Sequence, residues 1–303
     1  MTVALVTASS AAHLDEDMPL LRAALEAIAV PTAVVVWDDP SVLWDRFELV
    51  VVRSTWDYVS RRAELLAWAD HVAAVTSLAN PPDVVRWSTD KHYIGDLAAA
   101  GVPVTPTTFL EPGASPGTVR DAIEAQLEAA GASPDGRAVV VKPAVSAGSA
   151  DTSRHGAHER VEAREHVVRL LADQRSVMVQ PYLAAVDQHG ETALVHLGGR
   201  FSHAVRKGPI LSAAPPFVEG LFAAEQITPR EPSDLERQVA DQALAVVPGG
   251  AARLLYARVD LIPGPDGRPL VLEVELAEPS VFLSNAPGGA ERFARAIASR
   301  LRR

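Results

Sequence analysis

The chain has no cysteine among its 303 residues, only 5% aromatic side chains, and fewer basic groups than acidic ones, 28 Lys and Arg against 38 Asp and Glu. Each shortage excludes something. Without thiols there is no disulfide framework, no thiolate metal site and no cysteine nucleophile. A net charge of −10 argues against nucleic acid as the main partner, because duplex binders turn a basic face to the phosphates. Long apolar runs are missing too. The longest stretches without a charge, Met1–Leu14 and Leu97–Leu110, have 14 residues, and the second holds Pro103 and Pro106. A spanning helix needs about 20 apolar residues, and Met1–Leu14 lacks the basic start of a secretion signal. The expectation is a soluble, cytoplasmic protein with neither a membrane nor a nucleic-acid partner. Its 48% hydrophobic content suffices for a large core, shared between two or three lobes of roughly 100–150 residues each.

The first part of the chain alternates strand and helix patterns. Val3–Thr7 reads as a strand buried on both faces. Asp15, Glu16 and Asp17 suit the positive end of a helix dipole, and Leu21, Leu25 and Ile28 follow at helical spacing. Thr32–Val36 and Leu49–Val52 read as strands, with a helix between Arg61 and Val72. That order predicts a parallel α/β lobe. Thr7–Ala12 contains no glycine, so the dinucleotide fingerprint of a nicotinamide dehydrogenase is absent. Asn80-Pro-Pro82 marks a boundary, and Ser88-Thr-Asp90 is predicted to cap a helix carrying Lys91 in its first turn, then Ile94 and Leu97. Ser115-Pro116 opens another helix, which stops at Gly131. Ala138–Pro143 reads as a strand, Val145–Gly156 as a polar loop, about Glu159 to Leu171 as a helix, and Val177–Gln180 as a strand. The remainder is read as mostly antiparallel, with turns at Gly198-Gly199 and Pro265-Asp-Gly267 and a helix opened by the capping box Ser233-Asp-Leu-Glu236.

Chemistry concentrates near the C-terminus. A period of two puts Arg258 and Asp260 on one face of Leu255–Ile262. In Leu270–Leu276 it puts Glu273 and Glu275 together, with Leu270, Leu272, Val274 and Leu276 opposite. Pairing through the turn at Pro263–Arg268 would converge three carboxylates and an arginine. Such carboxylates repel unless a cation sits among them, and Mg²⁺ takes one or two carboxylates plus substrate phosphates. The same pattern also fits a solvated sheet face. Lys91 at a helix start opposes the dipole and so needs another reason to be there. Lys142 ends an apolar strand beside a small-residue loop, a setting that suits phosphate. Each lysine alone also fits a snorkelling surface side chain.

In order, the residues are Lys91, Val-Val-Val-Lys142-Pro, the loop Ser146-Ala-Gly148-Ser149, Val-Met-Val-Gln180-Pro-Tyr182, Gly190-Glu191, Arg206-Lys207, Arg258-Val-Asp260 and Glu273-Val-Glu275. This series, spanning Asp90 to about Leu283, resembles the ATP-grasp superfamily, especially its glutathione synthetase-like and D-alanine–D-alanine ligase-like members. The resemblance implies a combined α/β and α+β fold: an N-terminal parallel-sheet lobe (1–88), a central lobe (89–184) and a C-terminal lobe (185–303), the last two enclosing ATP. It implies that ATP activates a carboxylate as an acyl phosphate, which an amine then displaces. Lys91, Lys142 and Arg206 would contact the nucleotide phosphates, and Ser146, Gly148 and Ser149 would close over them. Gln180, Pro181, Tyr182 and Leu183 would hold the adenine edge, and Asp187 the ribose. Asp260, Glu273 and Glu275 would hold Mg²⁺, two ions in all. Arg258 and Lys142 would serve the chemistry by neutralising developing charge.

Three departures are visible. Glu275 stands where many members have Asn, Gln180 where an acid is common, and the loop after Lys142 has a single glycine. Further segments, Arg53-Ser54-Thr-Trp56-Asp-Tyr58, Asn80-Pro-Pro82, Trp87–Lys91, Ala99–Pro103 and Ala277–Leu283, are similar to a subgroup, the O-ureido-serine cyclo-ligases of D-cycloserine biosynthesis. That likeness implies a small amino-acid substrate, with O-ureido-D-serine cyclised to D-cycloserine and ADP and phosphate released. Arg53, Ser54 and His155 are substrate candidates, and Trp56 and Tyr58 also read as packing aromatics. An intermolecular carboxylate–amine ligase, a hydrolase using Asp260 and Glu273, and a non-catalytic nucleotide-binding regulator stay open, as does a homo-oligomer.

Overall fold

An apolar run with no polar alternation has to be covered on both faces, and β1 (Val3–Thr7) is buried at every residue. The computed structural model describes residues 2–131, 137–209, 211 and 226–301. After β1 come α1 (Asp17–Ala27), β2 (Thr32–Val36), β3 (Leu49–Ser54), α2 (Arg62–Val75) and β4 (Ser77–Ala79). The strands form a parallel sheet in the order β2-β1-β3-β4. Leu5 and Val51 face Leu21 and Leu25 of α1, while Val6, Val50 and Val52 face Trp37, Trp44 and Trp68. Asp15 caps α1, its Oδ1 accepting from the backbone N–H of Asp17 (3.1 Å) and Met18 (3.2 Å).

Asn80-Pro-Pro82, read as a boundary, is also where the first sheet is stitched to the C-terminal one. Asn80 is fully buried. Its Nδ2 donates to Tyr256 O (2.9 Å) and Leu276 O (2.7 Å), and its Oδ1 accepts from Leu255 N (2.7 Å). Pro82 then opens α3 (Pro82–Ser88). The predicted helix carrying Ile94 and Leu97 is α4 (Tyr93–Ala99), which starts later than the Ser88–Asp90 cap implied, so Lys91 lies in the turn between α3 and α4 and not in a first helical turn. Thr89 Oγ1 ends α3 by donating to Val85 O (2.9 Å), and Asp90 Oδ1 accepts from His92 N (3.2 Å).

The middle sheet runs β5 (Thr108–Leu110), β8 (Val177–Pro181), β6 (Ala138–Pro143), β7 (Ser153–Gly156), each pair antiparallel. The second part of the predicted polar loop is thus strand β7. One face packs Val139, Val141, Val177 and Val179 against α5 (Pro116–Ala129) and α6 (Arg160–Ala172) through Ile123, Leu127, Val167 and Leu170. By the period of two, Val140, Lys142 and Gln180 face the other way.

The third sheet is antiparallel, in the order β11-β10-β9-β12-β13. A short α7 (Val186–His189) leads into β9 (Glu191–Leu197), β10 (Arg200–Lys207), β11 (Ile227–Arg230) and α8 (Asp234–Val246). The hairpin β12 (Tyr256–Pro263) and β13 (Pro269–Glu275) follows, then α9 (Gly289–Ala298). Ser233 and Glu236 close the expected capping box on α8, a motif worth about 1 kcal/mol. Val239, Ala243 and Leu244 of α8 pack on Val259, Leu261, Val271 and Val274, along with Ile94 and Leu97. Phe293 and Ile297 of α9 join Leu5 of the first sheet to Val195 and Tyr256 of the third. In the hairpin Arg258 pairs with Glu275 and Asp260 with Glu273, as the alternation predicts, but the register then slips so that Leu261 pairs with Val271. Leu272 is the extra residue of this bulge. The slip breaks the single predicted apolar face: Val271, Val274 and Leu276 enter the core, whereas Leu270 and Leu272 lie on the other side with Tyr182, Leu183 and Ile262. Among the described residues no helix is long and apolar enough to cross a membrane.

Candidate active site

The bare face of the middle sheet and the third sheet enclose a cavity of about 550 Å³, with the first lobe lining part of its wall. Val140, Lys142 and the strand-end residues Gln180, Pro181, Tyr182 and Leu183 line one side; Lys207, Arg258, Glu273 and Glu275 line another. Ser146, Gly148 and Ser149 belong to the lining, as do Trp56 and Tyr58 of the first lobe and Glu278 and Ser280 beyond β13. Residues separated by more than 200 positions therefore share one space.

A ladder of alternating charge crosses the floor. Lys207 Nζ is 3.0 Å from both Glu191 Oε2 and Asp260 Oδ2. Asp260 accepts from Arg258 Nε (2.8 Å) and Nη2 (3.0 Å), and Arg258 Nη2 also meets Glu275 Oε1. Arg258 Nη1 donates to Ser280 O (3.1 Å). Lys91 bridges to the loop after β6, donating to Ser146 O (2.8 Å) and Oγ (3.1 Å), and lies 3.0 Å from Glu273 Oε1. The repulsion foreseen among three carboxylates is thus already relieved by side-chain cations. Among the described residues no group of three acids or histidines is arranged to hold a metal by itself. Asp260, 1% exposed, lies beneath the cavity, while Glu273 and Glu275 face it. Two carboxylates offered to an open space fit Mg²⁺, which completes its shell with water and phosphate.

Burial works against every charge here, and the neighbours decide the outcome. It pulls the Lys142 ammonium down to about 8, with Glu273 opposing and Lys91 assisting. It resists ionisation of Glu273, but Lys91 and Lys142 overcome it and leave that carboxyl below its usual value. Burial resists ionisation of Asp260 as well, and Arg258 and Lys207 prevail. Glu275 is pushed up to about 7 by burial despite Arg258, with Glu273 and Asp260 adding to the rise.

Several expected residues lie elsewhere. Arg53, 1% exposed, sits behind the cavity 3.5 Å from Asp17 and 4.0 Å from Asp15, donating to Pro279 O (3.2 Å). Its neighbour Ser54 is buried and donates to Thr7 Oγ1 (2.8 Å). His155 is on β7, against His166 of α6 (3.1 Å), outside the lining. Asp187 accepts from the Tyr182 hydroxyl and does not line the cavity. Arg206 points away, donating to His189 O (2.7 Å) and Gln188 O (3.1 Å), because successive strand residues face opposite sides. Lys207 takes the inward place. Gln180 donates to Thr107 Oγ1 (2.8 Å).

The comparisons follow this geometry. A family model described as the D-cycloserine synthetase DcsG N-terminal domain matches residues 3–80. The cycloserine biosynthesis protein DcsG of Streptomyces lavendulae is 42% identical over 306 residues, covering 99% of each chain. A crystal structure of D-cycloserine synthetase DcsG superposes with a TM-score of 0.88 at 41% identity, covering all of both chains. The chain belongs to the DcsG family. It is an ATP-grasp carbon–nitrogen ligase of antibiotic biosynthesis, which sets aside the hydrolase and the non-catalytic regulator. At the level of fold alone, D-alanine–D-alanine ligase from Bacillus anthracis, solved with ATP, matches with a TM-score of 0.67 at 14% identity over 99% of this chain and 97% of that one.

For a member of this family, the informative residues given no site role from the sequence are Asp17, Lys207 and Glu278. Asp17 looked like an ordinary helix-start acid, yet its oxygens accept from Val281 N and Leu283 N, both at 2.6 Å. Lys207 carried a signal, because the strand period already separates it from Arg206. Glu278 carried only its place in the Ala277–Leu283 segment, since nothing else local distinguishes it from a surface acid.

Proposed function

We propose that this chain uses ATP to activate the carboxylate of O-ureido-D-serine and closes it to D-cycloserine. The observation carrying the reading is the cavity itself: two lysines and a small-residue loop at one part, and the Arg258–Asp260–Glu275 ladder beside Glu273 on its floor. Gln180 to Leu183 would take the adenine edge, and Lys91, Lys142 and Lys207 the phosphates, under the Ser146–Ser149 loop. Glu273 and Glu275 would hold Mg²⁺, with Asp260 fixing Arg258 behind them. Bound there, Mg²⁺ supplies neutralisation of phosphate charge. The substrate carboxylate attacks the γ-phosphorus and ADP leaves. The ureido nitrogen adjacent to oxygen then attacks the acyl carbon, phosphate departs, and water releases the carbamoyl group as CO₂ and ammonia. Arg258, already held by Asp260, Glu275 and Ser280 O, would stabilise the tetrahedral oxyanion without reorganising.

The test is ADP release on mixing the protein with ATP, Mg²⁺ and a panel of small amino acids that includes O-ureido-D-serine. ADP formed with that compound and no added amine supports ring closure. ADP formed only when a second amine is present supports intermolecular ligation instead. No substrate-dependent ADP overturns both readings. Glu273→Gln is expected to lose more than about 100-fold in kcat, in line with removal of a charge-stabilising group, with its melting temperature kept; near-normal turnover would sink the metal assignment.

A further inference from the structure

One carboxylate in the cavity wall stands outside the charge ladder. Glu278, three residues past the end of β13, is 8% exposed and lines the cavity. Its Oε2 is buried without a hydrogen-bond partner. A carboxylate oxygen held out of water with nothing to accept from is costly, and such orphans in a finished fold mark a place for a missing donor. The backbone at this point is fixed, because Trp56 Nε1 donates to Glu278 O (3.1 Å). Tyr58 is close enough that, after burial, the Glu278 charge is the strongest influence raising its hydroxyl. The nearby cations have other work: Arg258 serves Asp260, Glu275 and Ser280 O, and Lys91 serves Ser146 and Glu273. Burial, with Glu275 beside it, pushes the Glu278 carboxyl up to about 8, so the charged form lacks a close partner within the protein. What completes Glu278 therefore comes from outside the protein, and a buried carboxyl beside two aromatic residues suits an organic cation, whose charge would favour the carboxylate.

We propose that Glu278 receives the α-ammonium group of the amino-acid substrate, beside Trp56 and Tyr58, and so selects α-amino acids over carboxylic acids that lack the amine. The assignment rests on the reading that the substrate's carboxylate is activated in this cavity. It adds which group identifies that substrate.

The experiment measures binding without turnover. Calorimetry with a non-hydrolysable ATP analogue and Mg²⁺ gives Kd for O-ureido-D-serine and for its desamino counterpart, 3-(ureidooxy)propanoate, on wild type and on Glu278→Gln. Wild type is expected to prefer the amino compound. Glu278→Gln should weaken that compound roughly 10- to 100-fold, the range of one charge-assisted hydrogen bond, while the desamino Kd and nucleotide binding change less than about threefold. Glu278→Asp should restore part of the preference. Equal weakening of both compounds would assign Glu278 a structural role and overturn the proposal. So would an unchanged preference, or a raised Mg²⁺ requirement, which would make it a metal group. Selective loss in Glu278→Gln without any ADP release from wild type would retain the ammonium site and remove the reading that this substrate's carboxylate is activated here; ADP release with no selective loss would do the reverse.

Discussion

Asp17 is where a single substitution should disturb both stability and substrate handling. Its carboxylate joins the first lobe to the segment after β13, accepting from Val281 N and Leu283 N at 2.6 Å each, with Arg53 Nη2 at 3.5 Å. Between those two residues Phe282 is held in the left-handed region at φ 51°, and the same segment supplies Ser280, whose carbonyl accepts from Arg258. Asp17→Ala leaves two buried N–H groups unmet, at about 1–3 kcal/mol each. It also leaves Arg53, buried against the rings of Tyr256 and Phe293, with the more distant Asp15 at 4.0 Å as its remaining acid beside the Pro279 carbonyl. These losses share partners and do not add fully, so about 4 kcal/mol is expected, or about 8–16 °C in Tm at 2–4 °C per kcal/mol. Asp17→Asn keeps one acceptor oxygen and should lose about half as much. Both variants should raise KM for the amino acid more than KM for ATP, because the displaced segment lies at Arg258 and away from β8. Thermal melting and steady-state kinetics measure the two effects. A Tm within about 2 °C of wild type for Asp17→Ala, below the expected range, together with an unchanged amino-acid KM, would refute the latch.

Asn80→Ala removes three buried hydrogen bonds that join the first lobe to β12 and the end of β13; a stability loss of about 3 kcal/mol in urea unfolding is expected, and less than about 1 would show that the lobes do not depend on this stitch. The His155–His166 pair predicts a pH effect, since burial lowers both imidazoles, with each other's company adding to the fall at His166. A folded pKa below the unfolded value of about 6.5 means that the unfolded chain binds more protons as pH falls. This contribution is whole above about pH 6.5 and is lost as pH drops toward the folded values. His166→Leu should therefore flatten the decline in urea midpoint between pH 7.5 and 5.5, and an unchanged slope would count against the pair.

Much of the site was legible from local pattern. Alternation with a period of two placed Arg258 with Asp260 and Glu273 with Glu275, and the turn at Pro265-Asp-Gly267 joined their strands, but the one-residue bulge at Leu272 brings the two pairs opposite each other. The helix starting at Ser233 announced itself through its capping box. Other features left no local mark. The bulge at Leu272 arises where the strand register changes, so the same leucines that look like one apolar stripe divide between the core and the cavity wall. Lys91 lies in a turn that the sequence presents as a helix start, because Thr89 ends one helix and Asp90 helps begin the next within a few residues.

Composition and strand periods were enough to determine a cysteine-free α/β protein, and the order of its lysines, arginine and carboxylates along the chain carried the resemblance to the ATP-grasp superfamily. Those signals are local, and a strand's alternation survives in any fold that uses it. Tertiary structure alone decided how the acids divide their work. Asp17 ties two lobes together, Asp260 holds Arg258 from below, Glu273 and Glu275 face the cavity, and Glu278 keeps its Oε2 buried without a hydrogen-bond partner. The physical reason is that a carboxylate's role depends on which donors surround it and how much water remains, and both are set by chain segments that in some cases lie more than 200 residues away.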